Sequence, residues 1–226
     1  MNFDIYYPFV NKDGKKCPGI KAVPMDWQQI MELTSSPAIK ITVQKVRNGD
    51  KEAKKDLPAI CWVGRTTSGK RLAKDCEPTQ FVMVDIDHVK NFETSIQHLI
   101  DDIFKKNELK DCILCVHATP SLGIRIVFRA IEEYPSLIEH MRWMDSQLNL
   151  SQYGEFDPAV KDLSRISFLV PNLDFYYINN RIINGEIKFE TNPIKGDVYQ
   201  GDMPETTTIN PTHSEQELFG KNETEF

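Results

Sequence analysis

Two carboxylates stand one residue apart at the end of an otherwise apolar run, Phe81-Val82-Met83-Val84-Asp85-Ile86-Asp87-His88. Strand side chains alternate between faces, so an extended backbone turns Asp85 and Asp87 to the same side, where they can share a divalent cation. The same alternation sets Arg125 and Arg129 opposite Ile124, Ile126 and Phe128, and sets Arg165 and Ser167 opposite Ile166, Phe168 and Val170. Acids and arginines on one sheet face suit metal-assisted chemistry on a phosphate-bearing substrate. Mg2+ or Mn2+ takes oxygen ligands and keeps waters and substrate phosphates, while guanidinium groups hold phosphate oxygens bidentately and stabilise charge in the transition state. Asp157, in Glu155-Phe156-Asp157-Pro158, is a third acid that would complete such a site. The bland alternatives are surface ion pairs on a solvated sheet face and, for Asp157, a turn before proline. Three strands carrying the same chemistry argue against coincidence.

The elements that must position these residues follow from periodicity. Residues 80–87, 112–118, 124–130 and 165–170 read as strands; 92–106 carries a helical stripe through Phe92, Ile96, Leu99, Ile100, Ile103 and Phe104. A second stripe, Leu137, Met141, Met144 and Leu148, marks a helix over 135–150, with Pro135 suited to its first turn. Turn residues at 119–123 make the second and third strands a hairpin. The order β-α-β-β-α-β predicts an α/β (α+β) fold with a ferredoxin-like or RNA-recognition-like palm, both helices on one face of an antiparallel sheet and the charged face open. Residues 1–190 are expected to form one globular unit, with an N-terminal α/β lobe over 1–78 and the palm over 79–190.

Charge is segregated along the chain. Residues 12–74 hold 14 Lys or Arg against 6 Asp or Glu, a net of +8, whereas 191–226 hold two lysines against seven acids and lack periodicity. The second stretch is expected to be a disordered acidic tail. The lysines of Asp50-Lys51-Glu52-Ala53-Lys54-Lys55 taken alone fit a solvated face, but the bias of the whole segment fits an anionic partner. The five scattered cysteines agree with a reducing compartment, and Cys112 and Cys115, three apart on a strand, face opposite ways as core residues rather than zinc ligands. With no bilayer-length apolar run and no signal-peptide pattern at the N-terminus, a soluble cytoplasmic protein without a membrane partner is expected. His88 fits a surface turn and His117 a strand face.

Two short motifs point elsewhere. The run 81–89 also fits the strand that opens haloacid-dehalogenase-type phosphatases, in which Asp85 would be the nucleophile. Those enzymes need a parallel sheet and a distal acidic pair, whereas the adjacent pair Asp101-Asp102 lies in the very next helix. Gly64-Arg65-Thr66-Thr67-Ser68-Gly69-Lys70-Arg71 approaches a phosphate-binding loop, but Arg71 replaces the hydroxyl that would ligate Mg2+ and no sufficient helix follows. It reads as a flexible basic loop available to nucleic acid.

Taken together, the motifs resemble the catalytic domain of the archaeo-eukaryotic primase (primase-polymerase) superfamily. The closest resemblance is to the primase-like N-terminal domains found beside VirE-type helicase modules in bacterial mobile-element proteins. The shared pattern is Val84-Asp85-Ile86-Asp87, then Thr119-Pro120-Ser121-Leu122-Gly123-Ile124-Arg125, then Phe156-Asp157 and the arginine-bearing Ser164-Arg165-Ile166-Ser167-Phe168. Val43 to Arg47 and Leu57 to Ile60 also look like that subfamily's N-terminal lobe. The resemblance implies DNA primase or polymerase activity with Mg2+ or Mn2+, a DNA template and nucleoside triphosphates as partners, and a helicase nearby in replication. Asp85, Asp87 and Asp157 would be catalytic metal ligands, and Ser121, Arg125 and Arg165 would contact nucleotide phosphates. The second motif is one residue shorter than is common, and Arg125 stands where His or Lys is usual. Arginine can hold phosphate but cannot donate a proton at neutral pH, which leaves a non-catalytic nucleotide- or nucleic-acid-binding relative as the alternative.

Overall fold

The computed structural model describes residues 1–157 and 162–187; the acidic stretch 191–226 and Pro158 to Lys161 lie outside the described residues. The chain opens with β1 (Asn2–Tyr6), the short hairpin of β2 (Phe9–Val10) and β3 (Lys16–Cys17), and β4 (Ala22–Asp26). Two helices follow, α1 (Trp27–Thr34) and α2 (Pro37–Arg47). Each starts where a side chain satisfies an orphan amide: Asp26 and Gln29 form a capping box for α1, and Ser36 caps α2 with Pro37 in the first turn. A 3-10 turn over Lys51–Asp56 leads into β5 (Ala59–Cys61) and the hairpin of β6 (Gly64–Thr66) and β7 (Cys76–Pro78).

The second half contains β8 (Phe81–Asp87), α3 (Phe92–Phe104), α4 (Asn107–Cys112), β9 (Ile113–Ala118), β10 (Ile124–Arg129) and α5 (Leu137–Leu148). It closes with β11 (Glu155–Asp157), β12 (Ser167–Phe168), β13 (Phe175–Ile178) and α6 (Asn180–Ile183). Two main sheets result, ordered β12-β5-β1-β4 and β11-β8-β10-β9-β13. Every named strand pair is antiparallel. The molecule is a mixed α+β fold built on several antiparallel sheets.

Four expectations change. The fourth strand beside β8 is β11, and Asp157 lies within it rather than ahead of it. Residues 165–170 cross to the other sheet, where Ser167 and Phe168 pair with Ile60 and Ala59 of β5. The helix expected over 92–106 ends at Phe104, and α4 intervenes before β9, so Cys112 closes a helix while Cys115 sits in the core. Pro135 lies ahead of the helix start, which Ser136 and Glu139 define by a capping box.

The charged face of the five-stranded sheet is not open. Phe81, Met83, Asp85 and Asp87 share one side of β8, and exposure rises along them from 2%, 0% and 5% to an exposed Asp87. That face is apolar at one end and must be covered there. The first lobe covers it: Phe3 packs on Trp62 and Phe81 at 5.1 and 5.7 Å between ring centroids, and Trp62 lies 6.0 Å from the His117 ring. One contiguous core runs from Ile5, Ile60 and Trp62 into Val84, Ile126 and Met141. Helix α5 packs on the opposite side of β8, and α3 packs on α5. Asp87 therefore emerges where the cover stops, at the mouth of a cleft between the two main sheets.

Candidate functional site

The register of the five-stranded sheet brings the candidate residues into one line. Asp157 of β11 lies directly opposite Asp85 of β8, Asp85 opposite Arg125 of β10, Arg125 opposite His117 of β9, and His117 opposite Phe175 of β13. Directly opposed residues share a face, so this row crosses the whole sheet on its covered side. Two residues further along, Asp87 lies opposite Glu155. Four carboxylates thus form two like-charged cross-strand pairs, an arrangement that is destabilising unless a cation lies against it.

One cation is supplied by the chain. Arg125 donates from Nε to Asp85 Oδ1 at 2.5 Å and from Nη2 to Oδ2 at 2.6 Å, and its Nη1 donates to Ser167 Oγ. Arg125 is 8% exposed and Asp85 5%. Burial alone would raise the Asp85 carboxyl, but the charge and hydrogen bonds of Arg125 outweigh it and hold the group below the usual carboxylate range. Beyond Arg125, His117 is pushed down to about 4 by burial, with the Arg125 charge adding to the effect. It is the neutral neighbour of a fixed cation, with Nδ1 on the Ala118 carbonyl.

Around this row the two lobes enclose a cleft of about 430 Å3, whose walls include Lys54, Arg71, Asp85, Asp87, Thr119, Arg125, Asp162 and Arg165. Lys54 departs from the solvated face expected for residues 50–55: its ammonium turns inward, 5.5 Å from the Phe168 ring centroid. Burial and then the Arg125 charge lower its pKa, opposed by Asp87 and Asp85. Four cationic side chains, Lys54, Arg71, Arg125 and Arg165, therefore meet three acids, Asp85, Asp87 and Asp162, in a space sized for a small polar ligand.

Local devices hold the walls. Gly123 has no room for a side chain: a Cβ there would lie 2.8 Å from Ile86 O and 3.0 Å from Asp87 Oδ1. A Cβ on Gly154 would lie 2.5 Å from Asp87 O. Two glycines thus let neighbouring backbone close around Asp87. The strap carrying Arg165 is tied to β5 by the Cys61 thiol, which donates to the carbonyls of Leu163 and Arg165 at 3.1 and 3.3 Å. Asp162 shapes the strap by accepting from the Ser164 amide at 2.7 Å.

Asp85, Asp87, Arg125 and Arg165 thus come together in the cleft. Asp157 joins the row beside Asp85 but is not one of the cleft walls. Ser121 does not join: it is exposed at the tip of the turn, and Thr119 and Pro120 line the cleft in its place. Thr119 Oγ1 accepts from the Gly123 amide at 2.8 Å, which folds the turn back over its own base. Lys54, Arg71, Thr119 and Asp162 were not legible as site residues, although Lys54 and Arg71 belong to the basic bias of the first lobe. The loop 64–71 forms a hairpin strand and a turn rather than the entry to a helix, and His88 is an exposed residue with a left-handed φ of 51°.

The donor chemistry fits a hard divalent cation, because the acids offer only carboxylate oxygens in like-charged pairs. Among the described residues, no three His, Cys, Asp or Glu side chains stand close enough to hold one ion together. Both oxygens of Asp85 are engaged by Arg125, so a cation on Asp85 has to compete with that guanidinium. No helix among the described residues is long and apolar enough to cross a membrane.

Among known families, the sequence model of the BT4734-like N-terminal domain matches residues 52–177. That segment contains every wall residue named above and begins after β1 to β4 and the first two helices. No curated protein and no solved structure matches the chain.

Proposed function

The chain belongs to the BT4734-like N-terminal domain family, and on that premise we propose that its cleft binds nucleoside triphosphates and joins nucleotides on a DNA template, as a metal-dependent nucleotidyltransferase of the primase-polymerase kind. The observation that carries this reading is the row Asp157, Asp85, Arg125 across three neighbouring strands, with Lys54, Arg71 and Arg165 lining the same cleft as Asp85 and Arg125. The order β11-β8-β10-β9, in chain order fourth, first, third, second, supports reading this sheet as a ferredoxin-like palm with β13 added at the edge.

Each residue type has a distinct task in such a reaction. Arg125, Arg165, Lys54 and Arg71 bind triphosphate oxygens, and the arginines offset charge that grows on the transferring phosphoryl group. Asp85, Asp87 and Asp157 would hold Mg2+ or Mn2+, which supplies neutralisation of the triphosphate and a lowered pKa for the attacking hydroxyl. Thr119 and Gly123 keep the turn close to Asp87 without filling the space in front of it. A helicase partner and a role in replicating DNA or a mobile element extend the same reading.

A second reading has its own support. Asp85 is already satisfied by Arg125 through both oxygens, as expected of a binding module that holds nucleotide or nucleic acid without turnover. The phosphatase reading is weaker, since it requires a parallel sheet and a free Asp85. Primer extension or dinucleotide synthesis with Mn2+ or Mg2+ separates these. The expected result is synthesis by the wild type, lost in Asp87→Asn and Asp157→Asn variants that melt normally. Nucleotide or DNA binding without synthesis identifies the binding module, and Asp85-dependent release of phosphate from a simple phosphoester identifies the phosphatase.

A further inference from the structure

We propose that the exposed surface formed by the β2–β3 hairpin and the loop 67–74 binds a single strand of nucleic acid and leads it to the cleft. This surface borders the cleft at Pro18 and Arg71 and extends away from it, and only its loop falls within the family-matched segment. The inference extends the nucleotidyl-transfer reading to where its template runs.

Backbone pairing first joins the loop to residues 20–22, the segment that leaves the hairpin. The Ala22 amide donates to Gly69 O at 3.0 Å and the Arg71 amide donates to Ile20 O at 2.8 Å, which places Lys21 and Lys70 opposite each other in an isolated antiparallel bridge. Two exposed lysines directly opposed repel one another. Residues 65–74 contain four Lys or Arg and no acid. None of the described salt bridges includes Lys21, Lys70, Arg71 or Lys74. Lys21 and Lys70, opposed and without a salt-bridge partner among the described residues, fit an anionic occupant.

Solvated surface lysines alone would be unremarkable, but the same surface exposes large flat and apolar side chains. Tyr7 is 41% exposed, Phe9 39%, Ile20 48% and Leu72 43%. Ile20 and Leu72 flank Lys21 and Arg71 in sequence, and Gly19 lies so close to the start of the hairpin that a Cβ would be 2.3 Å from Tyr7 O, which brings the backbone of Tyr7 against the segment that carries Lys21. Aromatic faces interleaved with cations suit a single strand, whose bases stack while its phosphates meet lysine. A duplex hides its base faces and would leave Tyr7 and Phe9 unused. The surface is also continuous with the site, because Pro18 and Arg71 line the cleft itself. A polymer with one end in a phosphate-binding cleft and the next units on a basic, aromatic strip is a nucleic acid strand.

The test uses the full chain and a fluorescently labelled oligothymidylate, followed by anisotropy over a range of salt. Lys21→Glu with Lys70→Glu is expected to weaken binding about tenfold and to flatten its salt dependence. Tyr7→Ala with Phe9→Ala is expected to weaken it about fivefold or more with the salt dependence kept. Both variants should melt like the wild type and bind a nucleoside triphosphate with Mn2+ unchanged. Unaltered oligothymidylate affinity in both variants overturns the proposal. So does an equal loss for duplex DNA or for vesicles containing anionic lipid, which would mark a general polyanion or membrane surface. If the cleft binds no nucleotide while the losses map to the hairpin, the strand surface stands and the nucleotidyl-transfer reading falls. If single-strand binding depends instead on Arg165 alone, the surface falls and the cleft reading stands.

Discussion

Arg125 and Arg47 each grip an aspartate through two nitrogens, Arg125 on Asp85 within the five-stranded sheet and Arg47 on Asp174 between α2 and the turn before β13. The second fork joins residues 127 apart in sequence, at 3.3 and 2.7 Å, with side chains 21% and 12% exposed. It fastens α2 to the turn before β13, segments that no strand ladder joins. The first fork joins strands whose register the backbone ladder already fixes. An ion pair placed where the fold needs none, buried, and surrounded by Lys54, Arg165 and a further carboxylate is better explained by what it binds than by what it stabilises.

Truncating each arginine should separate these roles. Arg125→Ala leaves Asp85 buried without its partner and is expected to destabilise the protein by about 3–5 kcal/mol and to abolish nucleotide binding. Arg47→Ala is expected to destabilise by about 1–3 kcal/mol with nucleotide binding unchanged. Asp85→Asn combined with Arg125→Gln removes both charges and should recover most of the stability but none of the binding. Urea unfolding and nucleotide titration read the two effects, and binding lost equally in Arg47→Ala would erase the distinction.

A smaller effect sharpens the comparison through pH. His117 is neutral in the fold, held at about 4, whereas in the unfolded chain it ionises near the ordinary histidine value. As pH falls below about 6.5 the unfolded state gains a proton that the folded state refuses, so stability should drop by about 1.4 kcal/mol per pH unit until the folded pKa is reached. His140, lowered by burial, acts in the same direction. Asp85 acts later: its carboxyl is depressed, so the stability it brings is lost only at more acid pH. Chemical denaturation across this range should show a smaller slope in His117→Gln, and an identical slope would remove His117 from the account.

Much of the site could be read from alternation. Val82, Val84 and Ile86 against Asp85 and Asp87 placed the acids on one side, and Ile124, Ile126 and Phe128 placed Arg125 on the same side. The fourth strand escaped because β11 has only three residues, too few for a period. The stronger alternation at 165–170 belongs to a strap that pairs with the other sheet. Alternation also says which residues share a face and not what lies over it. The cover was foreshadowed by Phe81 and Met83, apolar residues on the same side as the acids. Lys54 and Arg71 reach the cleft through the docking of one lobe on the other, a relation that no local pattern contains.

On the proposed function, the acids and arginines of the cleft act together on a metal-bound triphosphate. A crystal soaked with Mn2+ and a non-hydrolysable nucleoside triphosphate tests it most directly. The expected result is an anomalous peak beside Asp85 and Asp87, with Asp157 drawn in from β11 and Arg125 or Arg165 on phosphate oxygens. Nucleotide bound away from these residues, or an Asp85–Arg125 fork left closed with no metal beside it, would contradict the account.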